Sequence, residues 1–165
     1  MLTYKLLGGG LLLCAAAGGW YALMGAERER LRQGEAFLRL ICRIRCEIGD
    51  FCRPLPDIYA VYTDPVLERC GFLALLRERG ELSSALEAAT SLPAFRLKGE
   101  ELSVLREMAE QLGRGYATEQ TRLCDNAVGR LERVLGELRS RLPGKSRLCR
   151  SLFLCGAGCL AILLM

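Results

Sequence analysis

Apolar residues recur at steps of three and four along most of this chain. Phe37, Leu40, Ile41, Ile44, Ile48 and Phe51 form one such stripe, with Arg39, Arg43 and Glu47 on another face. That period predicts an amphipathic helix. It continues out of the apolar segment before it and ends ahead of Pro54-Leu55-Pro56, where two prolines stop it. Asp64-Pro65 reads as an N-cap followed by proline at the first helical position. The helix it opens carries Val66, Leu67, Cys70, Leu73, Ala74 and Leu76 and closes at Gly80. A short helix follows over residues 82–89 and ends before Ser91-Leu92-Pro93. The next begins near Gly99, with Glu100 and Glu101 in its first turn, and carries Leu102, Leu105, Met108, Ala109 and Leu112 up to Gly113. A last long helix spans residues 116–142, where Tyr116, Leu123, Ala127, Leu131, Leu135, Leu138 and Leu142 keep step. Pro143-Gly144 is expected to interrupt it. No alternating strand pattern of useful length occurs. The expected fold is all-α, a helical bundle of about five to six helices.

Two charge-free stretches bracket this body. Residues 6–24 read LLGGGLLLCAAAGGWYALM and residues 152–165 read LFLCGAGCLAILLM. The first approaches the ~20 apolar residues that cross a bilayer, with Tyr4, Trp20 and Tyr21 near its borders. A cleavable leader is the rival reading there, and lipidation at Cys14 is disfavoured by the bulk of Leu13. The second stretch is short, and reaches across only with Arg147 and Arg150 extended to the interface. Its rival is a hydrophobic tail packed on the body. Arg28, Arg30, Arg32 and Arg39 follow the first stretch, against Lys5 before it, and Lys145, Arg147 and Arg150 precede the second. The positive-inside rule then places the body in the cytoplasm and both termini outside. The expected organisation is a transmembrane helix at 1–25, a cytoplasmic helical bundle at 26–146 and a second transmembrane helix at 147–165.

Composition narrows the chemistry. The chain has 165 residues, 23 basic and 19 acidic, for a net charge of +4. That balance lacks the clustered basic face of a nucleic-acid binder, so no nucleic acid is expected. There is no histidine, which removes His-dependent nucleophilic catalysis and every His-containing metal site. The nine cysteines are odd in number, and read as reduced, mostly buried apolar residues. Cys42, Cys46 and Cys52 lack the fourth ligand and the close pairs of a zinc site. Gly113-Arg114-Gly115 has no Lys-Ser/Thr after it and reads as a turn, not a phosphate loop. The carboxylates of Glu100-Glu101 and of Glu107 and Glu110 read as solvated or as complements to helix dipoles. The glycines of both apolar stretches, Gly8-Gly9-Gly10, Gly18-Gly19 and Gly156-x-Gly158, would let helices approach closely. Catalytic residues, metal ligands and cofactors are all expected to be absent.

Local motifs add a resemblance. Glu47-Ile48-Gly49 followed by Pro54-Leu55-Pro56 comes first. Leu102-x2-Leu105 then leads to Leu112-Gly113-Arg114 and Gln120. Lys145, Arg150-Ser151-Leu152, Gly156 and Ile162-Leu163-Leu164 close the chain. In this order, between two apolar ends, the set resembles the stage III sporulation protein AB family over nearly the whole chain. Gly115-Tyr116 stands where that family carries Ser-Asp, and Phe153 where it carries glycine. The resemblance implies a place in the mother-cell membrane around the engulfed forespore, in an assembly joining the two cells. It implies a cytoplasmic domain similar to those of type II secretion and type IV pilus platform proteins. It also implies work beside a secretion-type ATPase of the stage III sporulation protein AA family, and beside other membrane components.

The expected function is therefore a non-enzymatic membrane platform whose helical body docks the ATPase. The breaks at residues 54–57 and 112–120 lie between amphipathic helices. They make Pro54, Pro56, Asp57, Arg114, Tyr116 and Gln120 the candidate partner-facing residues. The alternative is a membrane-tethered regulator or thiol sensor, which needs an exposed cysteine of low pKa, with Cys46 and Cys52 the candidates.

Overall fold

In a computed structural model the backbone is described for residues 2–164 and the side chains for residues 25–141. The chain divides into two compact units, Glu29–Glu137 and the pair of segments Met1–Arg28 and Leu138–Met165. The described residues form seven helices, joined by short connections, and no strands. These are α1 (Leu2–Phe51), α2 (Leu55–Val61), α3 (Pro65–Arg69), α4 (Phe72–Arg79), α5 (Leu82–Ala89), α6 (Glu100–Gln111) and α7 (Ala117–Leu164). Among the described residues no helix is long and apolar enough to cross a membrane. The two charge-free stretches, 6–24 and 152–165, lie outside the residues whose side chains are described.

The expected stripes build the core of the Glu29–Glu137 unit. Phe37, Leu40, Ile41, Ile44 and Ile48 of α1 are buried, and Cys124, Ala127, Leu131 and Leu135 of α7 pack into the same cluster. The two helices run antiparallel. A β-carbon on Gly34 would collide with Leu135 Cδ2, one on Gly49 would lie 3.1 Å from Thr121 Cγ2, and Arg45 pairs with Asp125 between them. Phe72, Leu73 and Leu76 of α4, Leu82, Ala85, Leu86 and Ala89 of α5 and Val104, Leu105 and Met108 of α6 complete the core. Phe37 is buried within it, edge-on to Phe72 at 4.6 Å and to Phe95 at 6.1 Å between ring centroids.

Several elements differ from the sequence expectation. The body holds seven helices because a short α2 follows Pro54, and because the helix expected from Pro65 to Gly80 is two. Gly71 separates α3 from α4 at φ 82°, a left-handed turn that Cβ-bearing residues disfavour. α7 runs without interruption through Pro143-Gly144. Phe51 continues the α1 stripe yet is 68% exposed.

Polar side chains tie the connections to the long helices. Gln33, buried in α1, donates from Nε2 to the Ala94 carbonyl at 2.7 Å and accepts from the Arg96 N–H at 2.8 Å. Glu101 lies in the first turn of α6, as expected, but is not solvated. It is 1% exposed, and Arg30 Nη2 donates to its Oε2 at 2.7 Å and to the Lys98 carbonyl at 3.1 Å. Asp64 caps α3 as the sequence foretold. Its Oδ1 accepts from the Val66 and Leu67 N–H groups at 2.8 and 3.2 Å, while Oδ2 receives the Arg39 fork at 2.7 and 3.0 Å.

Burial pushes the Asp64 carboxyl up, but Arg39 and the two N–H donors outweigh it and hold the group below the usual carboxylate range. A depressed folded-state pKa means that the stabilisation is complete above the unfolded Asp value of about 3.9. It is lost as pH falls from there through the folded value. Asp64→Ala is expected to cost about 1–2 kcal/mol at neutral pH through the lost cap and charge-assisted bonds. The gap to the wild type should close in acid below that unfolded value, as read by urea denaturation across a pH series.

Candidate functional site

The two breaks singled out in the sequence meet at one end of the unit. A β-carbon at Gly113 would stand 3.3 Å from Leu55 Cδ1, so the α6–α7 turn lies against the start of α2. The end of α1 reaches the same place, where Gly49 faces Thr121. Both connections to the rest of the chain, at Glu29 and Glu137, leave from the opposite end. From Glu29 to Phe51 the helix rises roughly 33 Å at 1.5 Å per residue.

This tip is built by local backbone rules. Cys52, at φ 49°, turns the chain back at the end of α1. The Cys52 and Arg53 N–H groups then donate to the Ile48 and Glu47 carbonyls at 3.2 and 3.1 Å. α2 starts at once, with Pro56 in its first turn, where a missing N–H costs nothing. The α6–α7 turn uses Gly113 at φ 86° and Gly115 at φ 117°.

Pro54, Pro56, Asp57 and Arg114 are exposed, and Tyr116 is 80% exposed. Phe51, which sequence reasoning placed in the core, joins them. Two exposed aromatics, with Arg53 and Arg114 in the same two turns, have the composition of a binding patch. Along one flank Gln111, Arg114, Glu119 and Arg122 border a hollow of about 240 Å³.

Gln120 corrects the sequence reading. It is 5% exposed and faces the turn, not a partner. Its Oε1 accepts from the Gly113 N–H at 2.8 Å, and its Nε2 donates to the Arg114 carbonyl at 2.7 Å. It therefore shapes the turn that presents Arg114 and Tyr116. The signal for this was available in the polar residue following two glycines, which a tight turn needs to satisfy its own backbone. Gln120→Ala is expected to cost about 1–3 kcal/mol by leaving those groups unmade. It should speed hydrogen exchange at the Gly113 amide before that of the core.

Sequence comparison adds a decisive observation. The profile of the stage III sporulation protein AB family matches residues 5–165. The chain belongs to that family. No curated protein and no solved structure matches it. Membership makes this a stage III sporulation protein, and the tip is the part of it that gathers the family-like segments at residues 47–56 and 112–120.

A second feature adjoins the tip. Glu47, expected on a polar face, is 4% exposed. Arg43 pairs with its Oε1, and Arg53 Nη1 lies 3.2 Å from its Oε2. The latter contact balances charge, but Oε2 is buried and receives no hydrogen bond. With Ile58, Val61 and Tyr62 these groups border a hollow of about 310 Å³.

The cysteines depart from the expected burial. Cys70 and Cys124 are buried, while Cys42, Cys46 and Cys52 are exposed, and all five are free. Burial pushes the Cys124 thiol up to about 11. The Cys46 thiol donates to Asp50 Oδ2 at 3.1 Å, and that hydrogen bond and charge raise its pKa too. A raised thiol is a poor thiolate source, which works against a sensor at Cys46. Asp50→Asn is expected to increase the rate of Cys46 alkylation several-fold at mildly alkaline pH, measured by mass spectrometry of the labelled peptides. Among the described residues no three Cys, Asp or Glu side chains gather as a metal set.

Proposed function

We propose that this chain is a non-enzymatic platform component of the mother-cell-to-forespore assembly, and that its tip docks the secretion-type ATPase of the stage III sporulation protein AA family. The observation that carries this reading is the meeting of the two turns. Phe51, Pro54, Pro56, Asp57, Arg114 and Tyr116 come together at the end farthest from both chain connections. Aromatic and arginine side chains are the usual anchors of protein interfaces, and loops held by a rigid scaffold are their usual carriers. The body lies in the cytoplasm in this reading, with membrane helices at 1–25 and 147–165 and both termini outside. Other membrane components of the assembly would meet those helices.

Co-purification of the full-length chain in mild detergent with the ATPase tests the docking. The wild type should bind. Arg114→Glu and Tyr116→Ala, both at exposed positions, should weaken binding about tenfold or more. Failure of the intact chain to bind sinks the docking reading. Thiol labelling of Cys155 and Cys159 in intact membranes tests the topology. Reaction with a cytosol-side aqueous reagent would leave a one-anchor protein.

A further inference from the structure

We infer that the hollow beside Glu47 is a socket for an aromatic side chain carrying a neutral hydrogen-bond donor, a tryptophan or tyrosine presented by a protein partner. Its floor is the Glu47 carboxylate, whose buried Oε2 lacks a hydrogen bond. Its sides are Arg43 and Arg53, buried Ile58 lines it, and its apolar lip is Val61, 67% exposed. A volume of about 310 Å³ lies at the small end of ligand-sized sites.

The charges select the occupant. An anion entering the hollow would meet Glu47, whose two arginines are already engaged with it. A cation would meet both arginines. A neutral donor meets neither penalty and supplies what Oε2 lacks. The body that carries the donor has to be apolar, to cover exposed Val61 beside Ile58, and flat, to stack on a guanidinium. Indole N–H and phenol O–H on an aromatic ring combine these properties, and both residues are enriched among interface anchors.

Arg53 is the group that yields on entry. It lies 3.2 Å from Oε2 outside hydrogen-bond geometry, with its side chain 43% exposed, in the link between α1 and α2. Its stem is partly exposed, so its guanidinium can turn outward and become the stacking surface, while Arg43 stays paired with the buried carboxylate and the incoming donor takes its place at Oε2. Because Arg53 also borders the tip, an anchor in this socket would extend the tip's patch along the flank of α2.

The socket stands apart from the ATPase reading and is tested with no ATPase present. Full-length protein in lipid nanodiscs, with labelled Ile and Val methyl groups, is titrated with N-acetyl-tryptophanamide and N-acetyl-tyrosinamide. Both should shift the Ile58 and Val61 methyls saturably, with Kd in the low millimolar range, on the order of 1–5 mM for so small a probe. N-acetyl-1-methyltryptophanamide, which keeps the ring and loses the donor, should bind about fivefold more weakly. Glu47→Gln should weaken the tryptophan probe similarly. Val61→Arg, at an exposed lip position, should abolish the shifts while preserving the remaining methyl spectrum. The inference is overturned if neither donor amide gives a saturable shift. It is also overturned if the methylated probe binds as well as the parent, or if N-acetyl-argininamide or acetate binds more tightly than both.

Discussion

Replacing Arg30 with methionine is expected to remove about 3–5 kcal/mol from the stability of the helical unit, the cost of leaving a buried charge without its partner. Glu101 is 1% exposed, and its Oε2 takes the Arg30 guanidinium at 2.7 Å. Arg30 is itself held at the Lys98 carbonyl, so it joins α1 to the segment that leads into α6. Methionine keeps much of the stem volume and removes the charge. The double variant Arg30→Met/Glu101→Leu should recover most of the loss, because a buried pair replaced as a unit by apolar residues is often near neutral. Urea denaturation of the detergent-solubilised chain, followed by far-UV circular dichroism, measures both. A double variant as unstable as the single one would show that packing at Arg30, not the stranded carboxylate, sets the cost.

Phe37→Ala is expected to cost a similar 3–5 kcal/mol, through lost burial and the cavity left behind. The ring touches two others that belong to distant parts of the chain, Phe72 at the start of α4 and Phe95 in the link between α5 and α6. Its removal therefore loosens α1 from both at once. Phe37→Leu should retain about half or more of the lost stability, because volume is largely kept while the edge-on ring contacts are not. Hydrogen exchange provides the local check. The amides of residues 95–97 should lose protection in Phe37→Ala, while Gly113, held by Gln120 at the far turn, should follow only with global unfolding. Equal loss at both places would mean that the unit opens as one piece.

Much of the core was readable from spacing, because burial against a single neighbour leaves a period of three and four in each helix. The Asp64 cap was readable because its chemistry is complete within four residues. What escaped involved relations across the chain. Glu101 and Arg30 are 71 positions apart, so nothing local marks that carboxylate as buried. Glu47 lies one step from the apolar stripe, and only the return of Arg53 closes over it. α2 escaped because Pro56 was read as a stop, although the first turn of a helix tolerates proline. The α3–α4 break escaped because Cys70 and Leu73 stay in step across Gly71. At the candidate site the sequence located both turns. It did not show that they adjoin, or that Phe51 stands in water while Gln120 does not.

The antiparallel pairing of α1 with α7 also sets when this unit can come into being. The cluster that buries Phe37, Leu40, Ile41 and Ile44 of α1 includes Leu131 and Leu135, among the last residues of the unit to be synthesised. At the usual 5–20 residues per second, the ribosome needs roughly 4–17 s to travel from the end of α1 to the end of the unit. Through that interval the nascent chain carries an open apolar face. A message truncated before α7 would yield a product with no lid for its own core, fit for proteolysis or aggregation and not for partial function.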